Sequence, residues 1–461
     1  MSASLGLSWA GIARLGLVQA MLGAVVVLTT STLNRVMVVE LALPALLPGL
    51  LVAWHHAVQL TRPHMGFGAD VARRRTPWIV GGMIILALGG WLGAVATATL
   101  ATQAGLGLAL AVLAFTLVGL GVSAAGTSLL TLLAKSVAPE RRAAAAATVW
   151  VMMIIGFAVT AGVAGKLLDP FSAGRLMMVS GGVSVIAVLV TLLALLGLER
   201  RAVLAHEIDA RRATEEPMTA SRFRAALAEV WSEPEARRFT IFVFVSMIAY
   251  SAQDLILEPF AGVMFGYSPG ESTQLSGVQH GGTLAGMLLA SLAGRRLGGF
   301  SFGSLRAWIV WGCLASALCL AGLVVAGLGA APNWPLRANV FAMGVANGVF
   351  SIAAIGSMMA LAGQGRGQRE GTRMGLWGAA QAIGFAAGGV AGTALNDLAR
   401  WLLGTPGPAY ASVFAIEALM FVAAALLARH LALGGRPAAK TSGPCGAASP
   451  TPLTLARENH T

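Results

Sequence analysis

The chain has 461 residues, of which 57% are hydrophobic and 11% charged, and its mean hydropathy is +0.77. A water-soluble domain carries roughly 25% charged residues, so a polypeptide this apolar cannot present most of its surface to water. A net charge of +12 would suggest nucleic acid as a partner in a soluble protein, but here the basic residues have a different explanation in their distribution along the chain. Cys313 and Cys319 share one apolar segment and Cys445 lies in the tail; with no CxxC, nothing points to a disulfide, redox or zinc site.

A membrane-spanning helix needs about 20 mostly apolar residues. Such runs lie near 13–34, 42–60, 78–100, 106–134, 144–166 and 176–198, and again near 239–262, 274–294, 305–329, 337–362, 374–396 and 409–432. The N-terminus lacks a small-residue cleavage pattern, so the first run is expected to be retained as a span. The pattern predicts an all-α membrane protein of twelve transmembrane helices: residues 1–198 as an N-terminal six-helix half, 199–238 as a linker, 239–433 as a C-terminal half, and 434–461 as a disordered tail. With both termini and the linker on the cytoplasmic side, that side holds 26 of the 31 Lys and Arg residues. This is the positive-inside distribution, and it accounts for the basic pI without nucleic acid.

Two six-helix halves joined by a basic loop match the major facilitator fold, whose halves are structural repeats. After the second span, Gly66, Asp70, Arg74 and Arg75 fall in a stretch resembling the cytoplasmic loop motif G-x-x-x-D-x-x-G-[RK]-[RK] of that superfamily, with Arg73 in place of its last glycine. The linker mixes charges of both signs and reads as a membrane-lying amphipathic segment or a docking surface.

An ionisable group inside a span is costly and therefore a functional candidate. The outer end of span one carries Asn34, Arg35 and Glu40; the outer end of span seven, its repeat counterpart, carries Gln253, Asp254 and Glu258. Each reads amide, charge, apolar residues, glutamate. The expectation is a periplasmic latch in which Arg35 pairs with Asp254, against the simpler reading that both groups mark membrane exit. His55 and His56 late in span two, and His280 in span eight, are candidate axial ligands for a chlorin magnesium, with interfacial hydrogen bonding as the plainer alternative for His55 and His56. Gly281 and Gly282 beside His280 would leave room for a flat ligand. Glu417 in span twelve is a further intramembrane acid, open to proton coupling or to a plain hydrogen bond with a neighbouring Ser or backbone group. Trp54, Trp78, Trp150, Trp308, Trp377 and Trp401 flank span ends in the manner of an aromatic belt. There is no Walker loop, no H-E-x-x-H and no nucleophile elbow, so no enzyme is expected.

The outer-end stretches 31–41 and 253–262, together with 74–82 and 366–378, resemble the bacteriochlorophyll delivery family, the PucC/LhaA group of the major facilitator superfamily in photosynthetic bacteria. The loop from His55 to Gly66 is more similar to the third branch of that group, associated with bacteriochlorophyll synthesis genes. The resemblance implies a multi-pass protein of the bacterial inner membrane that helps assemble light-harvesting complexes. No permanently bound cofactor is implied; bacteriochlorophyll would be a carried ligand. The implied partners are the lipid bilayer, antenna polypeptides and bacteriochlorophyll synthesis enzymes, and whether LH1 or LH2 is served stays open. Two alternatives remain beside it: a proton-coupled transporter of a small apolar solute, and a pigment-free scaffold for antenna peptides. The scarcity of charge in spans three, four, nine and ten favours an apolar cargo.

Overall fold

A computed structural model describes residues 7–62, 75–138, 141–199, 228–293, 304–329, 333–362 and 370–431. Gly66, Asp70 and Arg74, most of the linker and the tail lie outside these residues. Twelve principal helices follow in order: α1 Trp9–Glu40, α2 Leu46–Val58, α3 Thr76–Leu100, α4 Ala104–Ser136, α5 Arg142–Leu167, α6 Ala173–Leu195, α7 Pro234–Phe265, α8 Pro269–Ala293, α9 Leu305–Gly327, α10 Leu336–Ala362, α11 Glu370–Leu403 and α12 Pro406–Arg429. Ten of them are long and apolar enough to cross a membrane. The other two occupy expected spans but fall short: α2 has 13 residues, and α8 carries Ser272, Thr273, Ser276, Gln279 and His280 on its buried surface. Both contribute to the seam described below.

Helix ends are set by local chemistry. Ser8, Ser172 and Ser304 side chains accept backbone N–H groups at the starts of α1, α6 and α9, satisfying donors that have no intrahelical partner. Ser268 and Glu271 form a reciprocal capping box at α8, with Ser268 N–H donating to Glu271 Oε2 at 2.9 Å and Glu271 N–H to Ser268 Oγ at 3.1 Å. Gly266 ends α7 in the left-handed region, at φ 67°, where a residue without Cβ is favoured.

Packing follows a two-fold repeat. Helix α1 lies against α5 and α6 as α7 lies against α11 and α12, and α3 packs on α4 as α9 packs on α10. Two seams join the halves, α2 with α11 and α5 with α8, and the repeat relates one to the other. We call the side where α6 ends and α7 begins the linker face, and the opposite side the far face.

Lipid supplies no hydrophobic drive for one helix to seek another, so close backbone approach between small residues does much of the work. Gly282 and Gly286 of α8 face Gly344 and Gly348 of α10, and a Cβ at any of the four would collide with backbone of the partner helix. Gly156 meets the Ala20 carbonyl between α5 and α1, and Gly388 the Ile248 carbonyl between α11 and α7, at corresponding places of the two halves. Gly282 is thus occupied by α10 and leaves no room for a ligand; at Gly281 a Cβ would meet open space. Gly348→Val should lower the melting temperature of the detergent-solubilised protein by several degrees, in line with overpacking costs of about 1–3 kcal/mol. Gly281→Ala should leave it unchanged; differential scanning fluorimetry of both variants is the check.

Candidate functional site

The end of α1 is wound wider than an α-helix over Leu28–Thr32 and again over Val36–Glu40. Widened turns of this kind concentrate at functional sites. Here the backbone carbonyls of Val25 and Val26 accept from the Thr29 and Thr30 hydroxyls, at 2.8–3.0 Å. The stretch carries Ser31, Thr32, Asn34, Arg35 and Glu40, and it is the element that docks onto the other half.

Pro259 lies inside α7. A proline has no N–H to give the carbonyl four residues earlier, and in α7 that carbonyl belongs to Leu255. Asn34 Nδ2 donates to it at 2.6 Å from across the seam. A backbone acceptor freed within lipid needs a donor from a neighbouring helix, and Asn34, 1% exposed, is that donor. Next to it, Arg35 Nη2 donates to the Tyr267 carbonyl at 2.6 Å, beyond the C-terminus of α7, while Nη1 donates to Glu40 Oε1 at 2.6 Å. The guanidinium packs on Gly262, where a Cβ would stand 2.8 Å from Nη2. A cation at a helix C-terminus is favoured by the carbonyls and the dipole there. Two hydroxyl pairs complete the junction: Thr32 with Thr273 at 3.1 Å and Ser31 with Ser276 at 3.4 Å.

The two outer-end motifs therefore meet, but not through the expected Arg35–Asp254 pair. Arg35 is held by Glu40 and by the end of α7, around Gly262. Asp254 lies eight residues earlier, about 12 Å along the helix axis at 1.5 Å per residue, and Gln279 Nε2 donates to its Oδ1 at 3.1 Å. Gln253 is fully buried with neither amide atom hydrogen-bonded, and both carboxylate oxygens of Glu258 are buried and unpartnered.

Two further acids, neither singled out from sequence, fasten the same face. Asp397 near the end of α11 accepts from the backbone N–H groups of Ala45 at 3.0 Å and Leu46 at 2.7 Å, capping α2 from the opposite half. Asp169, after α5, accepts from Ser268 Oγ at 2.7 Å and packs on Gly270 at the start of α8. The repeat relates α5 to α11 and α2 to α8, so these are one contact made twice. The signal in the sequence was an acid closing each fifth helix of a half opposite a proline-bounded helix start.

On the linker face each half is stapled internally. Glu199 accepts from the backbone N–H groups of Arg75 and Thr76 and caps α3. Arg373 grips Glu233 with Nη2 at 2.6 Å and Nε at 3.0 Å, a two-point ion pair joining α11 to the start of α7. Trp377 is 1% exposed, with its ring edge-on to Phe239 at 5.0 Å. It belongs to the core rather than to an aromatic belt; Trp54 and Trp401, at 47% and 79% exposed, sit at the surface.

The histidines fall on different seams. His55 is buried and shares Gln59 with His56; the His56 ring stacks on Phe385 of α11, 5.7 Å between centroids, and Phe385 in turn meets Tyr250 of α7. His280 lies on the α5–α8 seam, edge-on to Phe157 at 4.9 Å, and Phe157 packs with Met153, Ile154, Leu284 and Met287. Its Nδ1–H donates to the Ser276 carbonyl at 2.8 Å, which fixes the tautomer and leaves the lone pair on Nε2.

Thr32 and Thr273 are close enough that cysteines placed there should cross-link, since disulfide-bonded Cβ atoms stand about 3.8 Å apart. Thr32→Cys with Thr273→Cys should form a disulfide readily in membranes. Adding Arg35→Ala, or Pro259→Ala, which returns an N–H to compete with Asn34 for the Leu255 carbonyl, should lower the cross-linked fraction several-fold on non-reducing gels.

The family model described as PUCC protein matches residues 32–435. The bacteriochlorophyll synthase 44.5 kDa chain of Rhodobacter capsulatus is 51% identical over 422 residues, covering 92% of this chain and 95% of that one. Protein PucC of Rhodobacter capsulatus is 31% identical, covering 92% of each. Among solved structures, a D-xylose–proton symporter superposes with a TM-score of 0.68 over 92% of this chain and 97% of its own at 13% identity. The nucleoside transporter NupG gives 0.65 over 91% and 98% at 14% identity. At such identities the likeness speaks for the fold alone, a major facilitator bundle. The chain belongs to the PUCC protein family.

Proposed function

We propose that this protein is an assembly factor of the bacterial inner (cytoplasmic or intracytoplasmic) membrane, with both termini cytoplasmic, that handles bacteriochlorophyll within the bilayer and delivers it to light-harvesting antenna polypeptides. The observation that carries this reading is full-length similarity to a relative named for bacteriochlorophyll synthesis, 51% identical over 92% of the chain, in a chain whose fold is that of a carrier. The pairing of name and fold supports a protein that serves the synthesis machinery by taking up or passing on its product.

Two histidines are the candidate ligands for such cargo. A chlorin magnesium takes a neutral imidazole as axial ligand, and His280 has its Nδ1–H tied to a carbonyl and its Nε2 left over. Phe157, which meets the His280 ring, belongs to a cluster with Met153, Leu284 and Met287, apolar or thioether groups suited to a macrocycle and its hydrocarbon tail. His56, stacked on Phe385 on the opposite seam, is the second candidate ligand. Because each histidine faces a residue of the other half, separation of the halves would alter both places at once, as delivery requires.

Protein purified in mild detergent from photosynthetic membranes should carry stoichiometric bacteriochlorophyll, detected by absorption and mass spectrometry. His280→Phe should lower that content by at least about ten-fold, the scale of a lost metal contact, with the melting temperature retained. A colourless wild-type preparation would overturn the reading. Undiminished antenna assembly by protein locked through Thr32→Cys and Thr273→Cys would instead favour a scaffold that moves nothing.

A further inference from the structure

The pigment reading leaves three acids unused. Glu258 on α7 is 1% exposed and Glu417 on α12 is 2% exposed, and all four of their carboxylate oxygens are buried without a hydrogen-bond partner. Asp254, one turn before Glu258, is half-buried and held by Gln279. It lies within electrostatic reach of both other acids. The hydroxyls of Ser31 and Ser276, 3.4 Å from each other across the seam, stand beside Glu258.

Burying an ionised carboxylate without a full counter-charge is among the most costly arrangements in a protein, and the charge of Asp254 adds to that cost at both Glu258 and Glu417. The cation at hand meets it only in part, at Glu258. Arg35 is the charge facing the trio from α1, and it is already engaged by Glu40 and the Tyr267 carbonyl. Tyr250 adds a phenol from α7 itself. From α8 the facing group is the Gln279 amide, and His280 next to it turns its ring to Phe157. Asp397 of α11 is spent on the α2 backbone, and Arg400 acts on Tyr410 rather than on the trio. Among the described residues no three acids, histidines or cysteines converge closely enough to hold a metal ion. What remains is the smallest cation.

We propose that Asp254, Glu258 and Glu417 form a proton-binding site whose loading is coupled to closure of the far face. Asp254, the half-buried member, admits the proton; Glu258 and Glu417 store it out of contact with water. A protonated Glu258 carries an O–H that donates to the Ser31 or Ser276 hydroxyl, adding a bond across the seam when the halves are closed. A deprotonated Glu258 instead leaves a negative charge buried at the junction, and only separation of the halves, which lets water in, relieves it. Acidification should therefore favour the closed far face. The inference goes beyond the pigment reading and can be tested without pigment.

Full-length protein in lipid nanodiscs is titrated with acid and base while infrared difference spectra follow the C=O stretch of protonated carboxyl groups. In parallel, the Thr32→Cys, Thr273→Cys pair reports closure. A band that grows on acidification, loses one part in Glu258→Gln and another in Glu417→Gln, is expected. The double variant should lose both parts, and its cross-linking yield should stop changing with pH. Asp254→Asn provides the same reading if either glutamine variant fails to fold, by slowing the approach to the protonated state. A band identical in wild type and double variant overturns the proposal, and so does one that follows sodium at constant pH. His280→Phe should leave the band unchanged, which keeps failure here separate from failure of the pigment assignment.

Discussion

Inside a bilayer no water is available to bond a stray carbonyl, and Pro259 leaves one at Leu255. That single vacancy fixes how the tip of α1 meets α7 between the two seams. Asn34 fills it from the opposite helix, and in doing so brings the widened end of α1 against α7 in a fixed register. Once Asn34 is seated, Arg35 falls against Gly262 and the last carbonyls of α7, and Ser31 and Thr32 face the hydroxyls of α8. A proline within a span would ordinarily weaken its own helix; here the weakness becomes the acceptor on which the junction is organised.

Around this centre the repeat supplies symmetry. Asp397 caps α2 and Asp169 binds the start of α8, each reaching from one half to a helix N-terminus of the other. Asp397 accepts from backbone N–H groups at the positive end of the α2 dipole, whereas Asp169 accepts from the Ser268 hydroxyl; bonds to a carboxylate are stronger than bonds between neutral groups. Their strength nevertheless depends on exclusion of water, so each is exchangeable when the face opens. The far-face junction combines contacts of this kind, side chain to backbone or hydroxyl to hydroxyl, with apolar packing that crosses both seams.

Much of this was legible in the sequence. Composition and the sorting of Lys and Arg required a membrane bundle in two halves, and helices occupy each of the twelve expected segments. The outer-end motifs were visible because they interrupt apolar runs with amides and charges, and the structure brings them together. Their pairing was not legible, because two widened turns in α1 shift every later side chain around the axis, and no spacing rule announces them. Asp169 and Asp397 escaped notice for a related reason: each is a lone acid near a span end, and its role exists only once the partner helix start is in place. Trp377 was misjudged because position along a span says nothing about which side of the helix faces inward. Pro259 with Asn34 at the matching place in the other repeat was the one pairing that backbone hydrogen-bond accounting could have found.

The glycine contacts within each half have a mechanical consequence. At Gly156 and Gly388 the backbones of α5 and α11 lie directly on those of α1 and α7, with no side chain between to flex. A displacement that starts at the tip of α1 must pass undamped into α5, which bears Phe157 and forms one wall around His280. Within each half these helix pairs are therefore stiff units, coupled backbone to backbone at one point.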